Sequence, residues 1–236
     1  MSNAGLDLNR TQESHKNGER PVFPRSIHIA IASILLVLLP VAVNLRTEGI
    51  KSIFGYFAAD TFFYLAVAKN SSWFPAFSFD GIYPTNGFHP LWQFLVKALG
   101  DLLSLDSKGL IYLAFMFSWA CIAIAAPLLV FCTNSITRRP LLSLASIFPG
   151  FVYIVSGFAN SFYGNIWSFI NGMESPLSLF VFALLLTISI KWNVFYAPIR
   201  DNLGKTILCS ALLAIVTLSR LDDIFLVMSF LVVAFT

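Results

Sequence analysis

The sequence predicts an all-α fold: a polytopic helical membrane protein with about six transmembrane helices and interfacial helices in a large first outer loop. Three observations carry this. Of the 236 residues, 57% are hydrophobic and 11% are charged, against about 25% charged in an average soluble domain. The apolar residues fall in runs about as long as a bilayer-crossing helix. Lys and Arg gather at alternate ends of those runs. With 24 Phe against 13 Gly and 11 Pro, the composition excludes a disordered chain, a collagen-like repeat and a coiled coil. The net charge of +3 is spread without a basic block, so nucleic-acid binding has no footprint. Cys121, Cys132 and Cys209 sit in apolar runs without C-x-x-C spacing, which points to neither a disulfide framework nor a zinc site.

Taken in order, residues 1–25 form a cytoplasmic tail carrying Arg10, Lys16, Arg20 and Arg25. Residues 26–236 form the transmembrane unit, which includes the outer loop 46–108. Ser26 to Leu45 is uncharged and lacks a clean small-residue cleavage site, so it reads as an uncleaved signal anchor with its N-terminus cytoplasmic. Leu110 to Phe131 returns inward to Arg138 and Arg139. Leu141 to Ala159 goes out again, with a kink expected at Pro149 and Gly150. Pro176 to Ile190 comes back to Lys191. Thr206 to Thr236 would be about 46 Å long as one helix, too long for a core of about 30 Å. Arg220-Leu221-Asp222-Asp223 must therefore turn at the outer surface, where two helices meet.

This topology has six spans with both termini cytoplasmic. Nine of the Lys and Arg residues lie inside (four in the tail, then Arg138, Arg139, Lys191, Arg200 and Lys205), and six lie outside (Arg46, Lys51, Lys69, Lys97, Lys108 and Arg220). The inner segments are much shorter, so the density contrast is stronger than the counts. The chain stops inside an apolar run at Phe235-Thr236, which predicts that it is the N-terminal part of a longer protein.

The loop from Arg46 to Lys108 is too long for a simple connection and too aromatic for disorder. Ile53 to Asn70 reads as an amphipathic helix that places Tyr56, Asp60, Phe63 and Tyr64 on one stripe. Pro90 to Leu105 reads as a second helix, opened by a proline in its first turn and lying flat in the interface. Between them, Asp-Gly, Tyr-Pro and Asn-Gly supply turn chemistry for an ordered loop.

Several short motifs share the outer side. These are Ala59-Asp60-Thr61-Phe62-Phe63-Tyr64, Phe79-Asp80-Gly81, Pro84-Thr85-Asn86-Gly87-Phe88-His89-Pro90-Leu91-Trp92, Asn171-Gly172-Met173-Glu174-Ser175 and Ser219-Arg220-Leu221-Asp222. In this order they resemble the membrane glycosyltransferases of the C-type fold, and most nearly the branch similar to protein O-mannosyltransferases and lipid A aminoarabinose transferases. The family often begins its first motif with two acidic residues, where this chain has Ala59 before Asp60. Its members usually have 11 to 13 spans, so this chain would hold the catalytic-loop half. The resemblance implies an inverting transfer of a sugar from a polyprenyl-phosphate donor to a lipid, glycan or protein hydroxyl on the periplasmic or lumenal face. A bacterial inner membrane is the expected location. No cofactor is implied with certainty, and a divalent metal is left open.

Each candidate has a structural reading beside a functional one. Asp60 is either a solvated surface acid or the general base that takes the acceptor's proton, with its basicity raised by the aromatic stripe. Asp80 is a turn former or a substrate contact, and Asn86 belongs to the same loop. His89 makes a structural hydrogen bond or donates to the leaving phosphate. Lys97 reaches phosphate or snorkels. Glu174 suits the helix dipole or binds acceptor or sugar. Arg220 and Asp222 pair with each other, or Arg220 grips phosphate through its fork of donors. Asn70-Ser71-Ser72 is an N-glycosylation sequon.

Two other function classes fit the composition. A transporter or lipid flippase would carry ionisable residues inside its spans, and here these are nearly absent. A non-catalytic membrane assembly subunit is the third. Membrane lipids are partners in every case.

Overall fold

The computed structural model describes residues 51–72, 77–144, 171–194 and 203–235, together with scattered helical positions between 28 and 49. The tail 1–25, most of the expected span Leu141 to Ala159 with its Pro149 kink, and part of the loop between Lys191 and Lys205 lie outside the described residues. The described residues fold into helices and loops without a β-strand. In chain order these are α1 (Lys51–Tyr56), α2 (Ala59–Asn70), α3 (Pro90–Leu102), α4 (Ser107–Thr137), α5 (Pro140–Ser143), α6 (Ser175–Lys191), α7 (Leu203–Ser219) and α8 (Ile224–Phe235). A 3-10 turn at Leu221–Asp223 separates α7 from α8.

The spine is α4. Its 31 residues extend about 46 Å. Asp106 caps its start, accepting from the Gly109 amide at 2.7 Å, which satisfies one orphan donor of the first turn. Arg138 ends it in the left-handed region at φ 54°. Among the described residues, α4 is the helix long and apolar enough to cross a membrane. The helices α6 and α7, with 17 residues each, are apolar and shorter.

Around this spine the packing is ordered by level. The hairpin α3–α4 is antiparallel: Leu110 presses on Gly100, and the Trp92 and Phe117 rings meet at 5.5 Å. Helix α2 runs along the same stretch, with Lys69 Nζ on Ser107 Oγ. Helix α6 begins beside His89, at the lower end of this hairpin, and follows α4 in parallel to the contact of Thr187 with Cys132 at 3.4 Å. Helix α7 returns antiparallel to α6, bringing Arg220 to Ser175. Ile53, Trp92, Phe115, Leu185 and Val216 are fully buried in the resulting core. Outside it, Tyr112, Met116, Ile124 and Phe131 form an exposed apolar stripe down α4.

The structure corrects two expectations. The helix expected over Ile53 to Asn70 breaks at Phe57-Ala58. Ala58 is extended (φ −71°, ψ 155°), and Phe57 is buried against Phe115 and in contact range of Gly172. Tertiary burial of that ring outweighs helical continuity, so Tyr56 leaves the register that would align it with Asp60. The helix expected over Pro90 to Leu105 ends at Leu102, with Ser104 at φ 51° making the turn. Its buried face packs along the first half of α4. The break at Arg220 to Asp223 is where the length of Thr206 to Thr236 required it.

Candidate functional site

The site assembles where α2, the start of α3, the start of α6 and the α7–α8 turn converge. Its floor is the Asn171-Gly172 turn. Asn171 Oδ1 accepts from the Met173 amide at 3.0 Å, and the Asn171 carbonyl accepts from the buried Thr61 hydroxyl. Gly172 has φ +73°, and a Cβ there would stand 2.6 Å from Thr61 Cγ2 and 2.7 Å from Phe57 Cε1. Only glycine satisfies both the backbone and the space. This turn delivers Glu174 to the start of α6, where Ser175 and Pro176 begin the helix.

Glu174 is buried, with its side chain 4% exposed. Its Oε1 lies 3.5 Å from His89 Nε2, while Oε2 has no hydrogen-bond partner among the described residues. The other ring nitrogen of His89, Nδ1, accepts from the Leu221 amide at 3.3 Å. The His89 amide donates to the Tyr64 hydroxyl at 3.2 Å, and Gln93 Nε2 donates to the Tyr64 carbonyl at 3.3 Å. Burial first, then the negative charge of Glu174, its side-chain hydrogen bond with the phenol and a smaller contribution from Asp60, hold the Tyr64 phenol above its ordinary pKa against the opposing effect of the His89 amide. It is a neutral O–H at physiological pH.

Asp60 stands in the first turn of α2, exposed, one helical turn before Tyr64. The desolvation expected from an aromatic stripe is therefore missing: Phe63 turns to stack on Phe79 at 4.9 Å, and Tyr56 packs on Phe115 at 5.8 Å. Arg220 and Asp222 pair, with Nε and Nη2 each 3.2 Å from Asp222 Oδ2, and Arg220 Nη1 donates to Ser175 Oγ at 3.2 Å. The pair is 39% and 67% exposed, so it contributes little to stability and leaves the guanidinium open on one side.

The remaining expected residues fall elsewhere. Asp80 is occupied by its own turn: Oδ1 accepts from the Ile82 and Tyr83 amides at 2.8 and 2.9 Å and from Ser78 Oγ at 3.0 Å. Those backbone donors hold its carboxyl below the ordinary value of 3.8. Asn86 is exposed in the same loop. Lys97 is buried and paired with Asp101 at 2.8 Å. Asn70 of the sequon ends α2 and donates through Nδ2 to the Phe79 carbonyl.

Sequence reasoning did not assign Tyr64, Thr61, Gly172 or the buried pair of Ser178 with Asp223. Asp223 carried a legible signal, a second acid at an apolar helix start, but its partner 45 residues away did not. Among the described residues, no three His, Cys, Asp or Glu side chains converge as metal ligands do. Chemically, the cluster offers an exposed carboxylate, a buried carboxylate, a neutral phenol and a guanidinium within one locale. No family model matches the chain, and no curated protein or solved structure does so at a significant level.

Proposed function

We propose that the protein is a membrane glycosyltransferase that moves a sugar from a polyprenyl-phosphate donor to a lipid, glycan or protein hydroxyl on the outer face of a bacterial inner membrane. The observation that carries this reading is the meeting of Asp60, His89, Glu174 and Arg220, whose short motifs are far apart in the chain, at one locale. In this reading the six-span topology holds, and the exposed stripe of α4 faces lipid. The lower part of α4, from about Trp119 to Thr137, is about 28 Å long, close to a hydrocarbon core of about 30 Å. The cluster beside His89 then lies at the outer boundary, where a lipid-linked donor presents its head group.

The step is a single displacement. The acceptor hydroxyl loses its proton to Asp60 as its oxygen attacks C1 of the sugar. The C1–O bond to phosphate breaks with inversion, and the electron pair leaves with the phosphate. Arg220 offsets the growing charge. His89 is engaged on both ring nitrogens and Lys97 is paired with Asp101, which leaves the guanidinium for that role. No step here is routed through a metal, whose ligand set is not formed among the described residues.

Transport is less well supported, because α4, α6 and α7 carry Lys near their ends and no ionisable residue through their middles apart from cysteine. The test is sugar transfer from polyprenyl-phosphate sugars by the purified protein. Asp60→Asn keeps size and removes the proton acceptor, so turnover should fall about 10²- to 10⁴-fold while donor-lipid binding persists. Normal turnover for Asp60→Asn would move the base to another group.

A further inference from the structure

The turn that carries Arg220 is fastened to α6 by a second contact three residues further on. Arg220 Nη1 donates to Ser175 Oγ at 3.2 Å, and the Ser178 hydroxyl donates to Asp223 Oδ2. Both contacts keep one register. Ser175 and Ser178 lie about one turn apart on the same face of α6. The Asp223 amide donates to the Arg220 carbonyl at 3.0 Å, and a 3-10 turn closed in this way brings residues three apart to one side. Between them, the Leu221 amide donates to His89 Nδ1, just ahead of α3, at 3.3 Å. The turn therefore meets its neighbours through Arg220, Leu221 and Asp223.

These contacts differ in what holds them. The pair of Arg220 with Asp222 is exposed, so water screens it and it fixes little. Ser178 and Asp223 are both buried. A buried carboxylate is costly without a donor, and the Ser178 hydroxyl is hard to give up for that reason. Asp223 also directly precedes Ile224, the first residue of α8, where the helix dipole favours a negative charge. We propose that Asp223, held by Ser178, is a positioning residue: it fixes the α7–α8 turn on α6 and so keeps the Arg220 guanidinium where the leaving phosphate binds, without touching the donor. The part played by phosphate rests on the glycosyltransferase reading, whereas the fastening of the turn does not. Of two adjacent acids, the buried Asp223 and not the exposed Asp222 governs Arg220.

Two measurements on the full chain in detergent micelles test this. The first is hydrogen exchange at the Leu221 amide with no lipid ligand added. Ser178→Ala and Asp223→Ala should each speed that exchange about tenfold or more, the scale of a lost hydrogen bond to a charged group. The Val216 amide, inside α7, should keep its protection and so separates loosening of the turn from unfolding. Asp223→Asn keeps an acceptor for the Ser178 hydroxyl and should behave more like wild type than Asp223→Ala does. If Asp223→Ala loses protection at Val216 as well, Ser178→Ala, which removes a single oxygen, carries the test.

The second measurement is binding of bare polyprenyl phosphate. Arg220→Ala removes a charge-assisted contact and should weaken binding about tenfold or more, and Ser178→Ala should weaken it in the same direction. The double variant should bind no more weakly than Arg220→Ala alone, because Asp223 and Ser178 act through the guanidinium, whereas a merely structural loss would add to that of Arg220→Ala. Additive losses, or wild-type exchange at Leu221 in Ser178→Ala, would overturn the proposal. Absence of binding by wild type would remove the phosphate role together with the glycosyltransferase reading, and exchange at Leu221 would then decide the fastening of the turn alone.

Discussion

Gly172 shows how one residue without a side chain controls a site. Its positive φ and the contacts a Cβ would make with Thr61 and Phe57 leave no substitution free of both strain and collision. Gly172→Ala should cost about 1–3 kcal/mol, seen as a lower thermal unfolding midpoint, and should displace Glu174. Asp80 makes a different statement at the same scale. Its carboxyl is held below its ordinary value by the amides of Tyr83 and Ile82. Its support of the loop is therefore full above about pH 4 and is lost as pH falls through the lower folded value. Hydrogen-exchange protection of the Ile82 and Tyr83 amides should stay level from pH 7 to about 4 and drop below that, whereas Asp80→Asn, whose amide oxygen still accepts but does not titrate, should show no such drop. Asp80's turn role was legible in the sequence because Asp-Gly chemistry is local. The commitment of both His89 nitrogens was not, because their partners come from residues 174 and 221.

Among the elements, the α3–α4 hairpin positions His89 relative to the rest. Gly100 faces Leu110, whose Cδ2 would be 2.7 Å from an added Cβ. Gly100→Val should destabilise by about 1–3 kcal/mol through overpacking, and Leu110→Ala in the same chain should recover part of that loss, since neighbouring sites couple. Thermal unfolding of the single and double variants measures this. Periodicity and proline placement made α3 legible as a helix. Its direction was decided by Trp92 and Gly100 packing on α4, which no local pattern encodes. The break at Phe57-Ala58 has the same origin, because an apolar residue reads alike whether it continues a helix or turns into a neighbour.

For the whole molecule, the proposed topology places the loop 46–108 outside. A cysteine in place of Asn86, which is exposed, should react with an impermeant thiol reagent in intact cells. Cys121, Cys132 and Cys209 are buried and should give little background. A cysteine in place of Ser135, exposed near the far end of α4, should react only after permeabilisation. Reversal of the two patterns would invert the orientation and move the cluster to the inner face.

The sequence by itself determined that the described chain is helical, that its apolar runs approach bilayer length, and that the run ending at Thr236 must turn at Arg220, because these follow from composition and from the rise of a helix per residue. It also picked out His89, Glu174 and Arg220 as chemistry-bearing groups at helix ends. Only the tertiary structure decided that these three meet, that Asp60 is exposed while Glu174 is buried, and that Asp80 and Lys97 are satisfied locally. Burial and pairing depend on contacts between residues distant in the chain, and a one-dimensional pattern of residue types carries no distances between its separate segments.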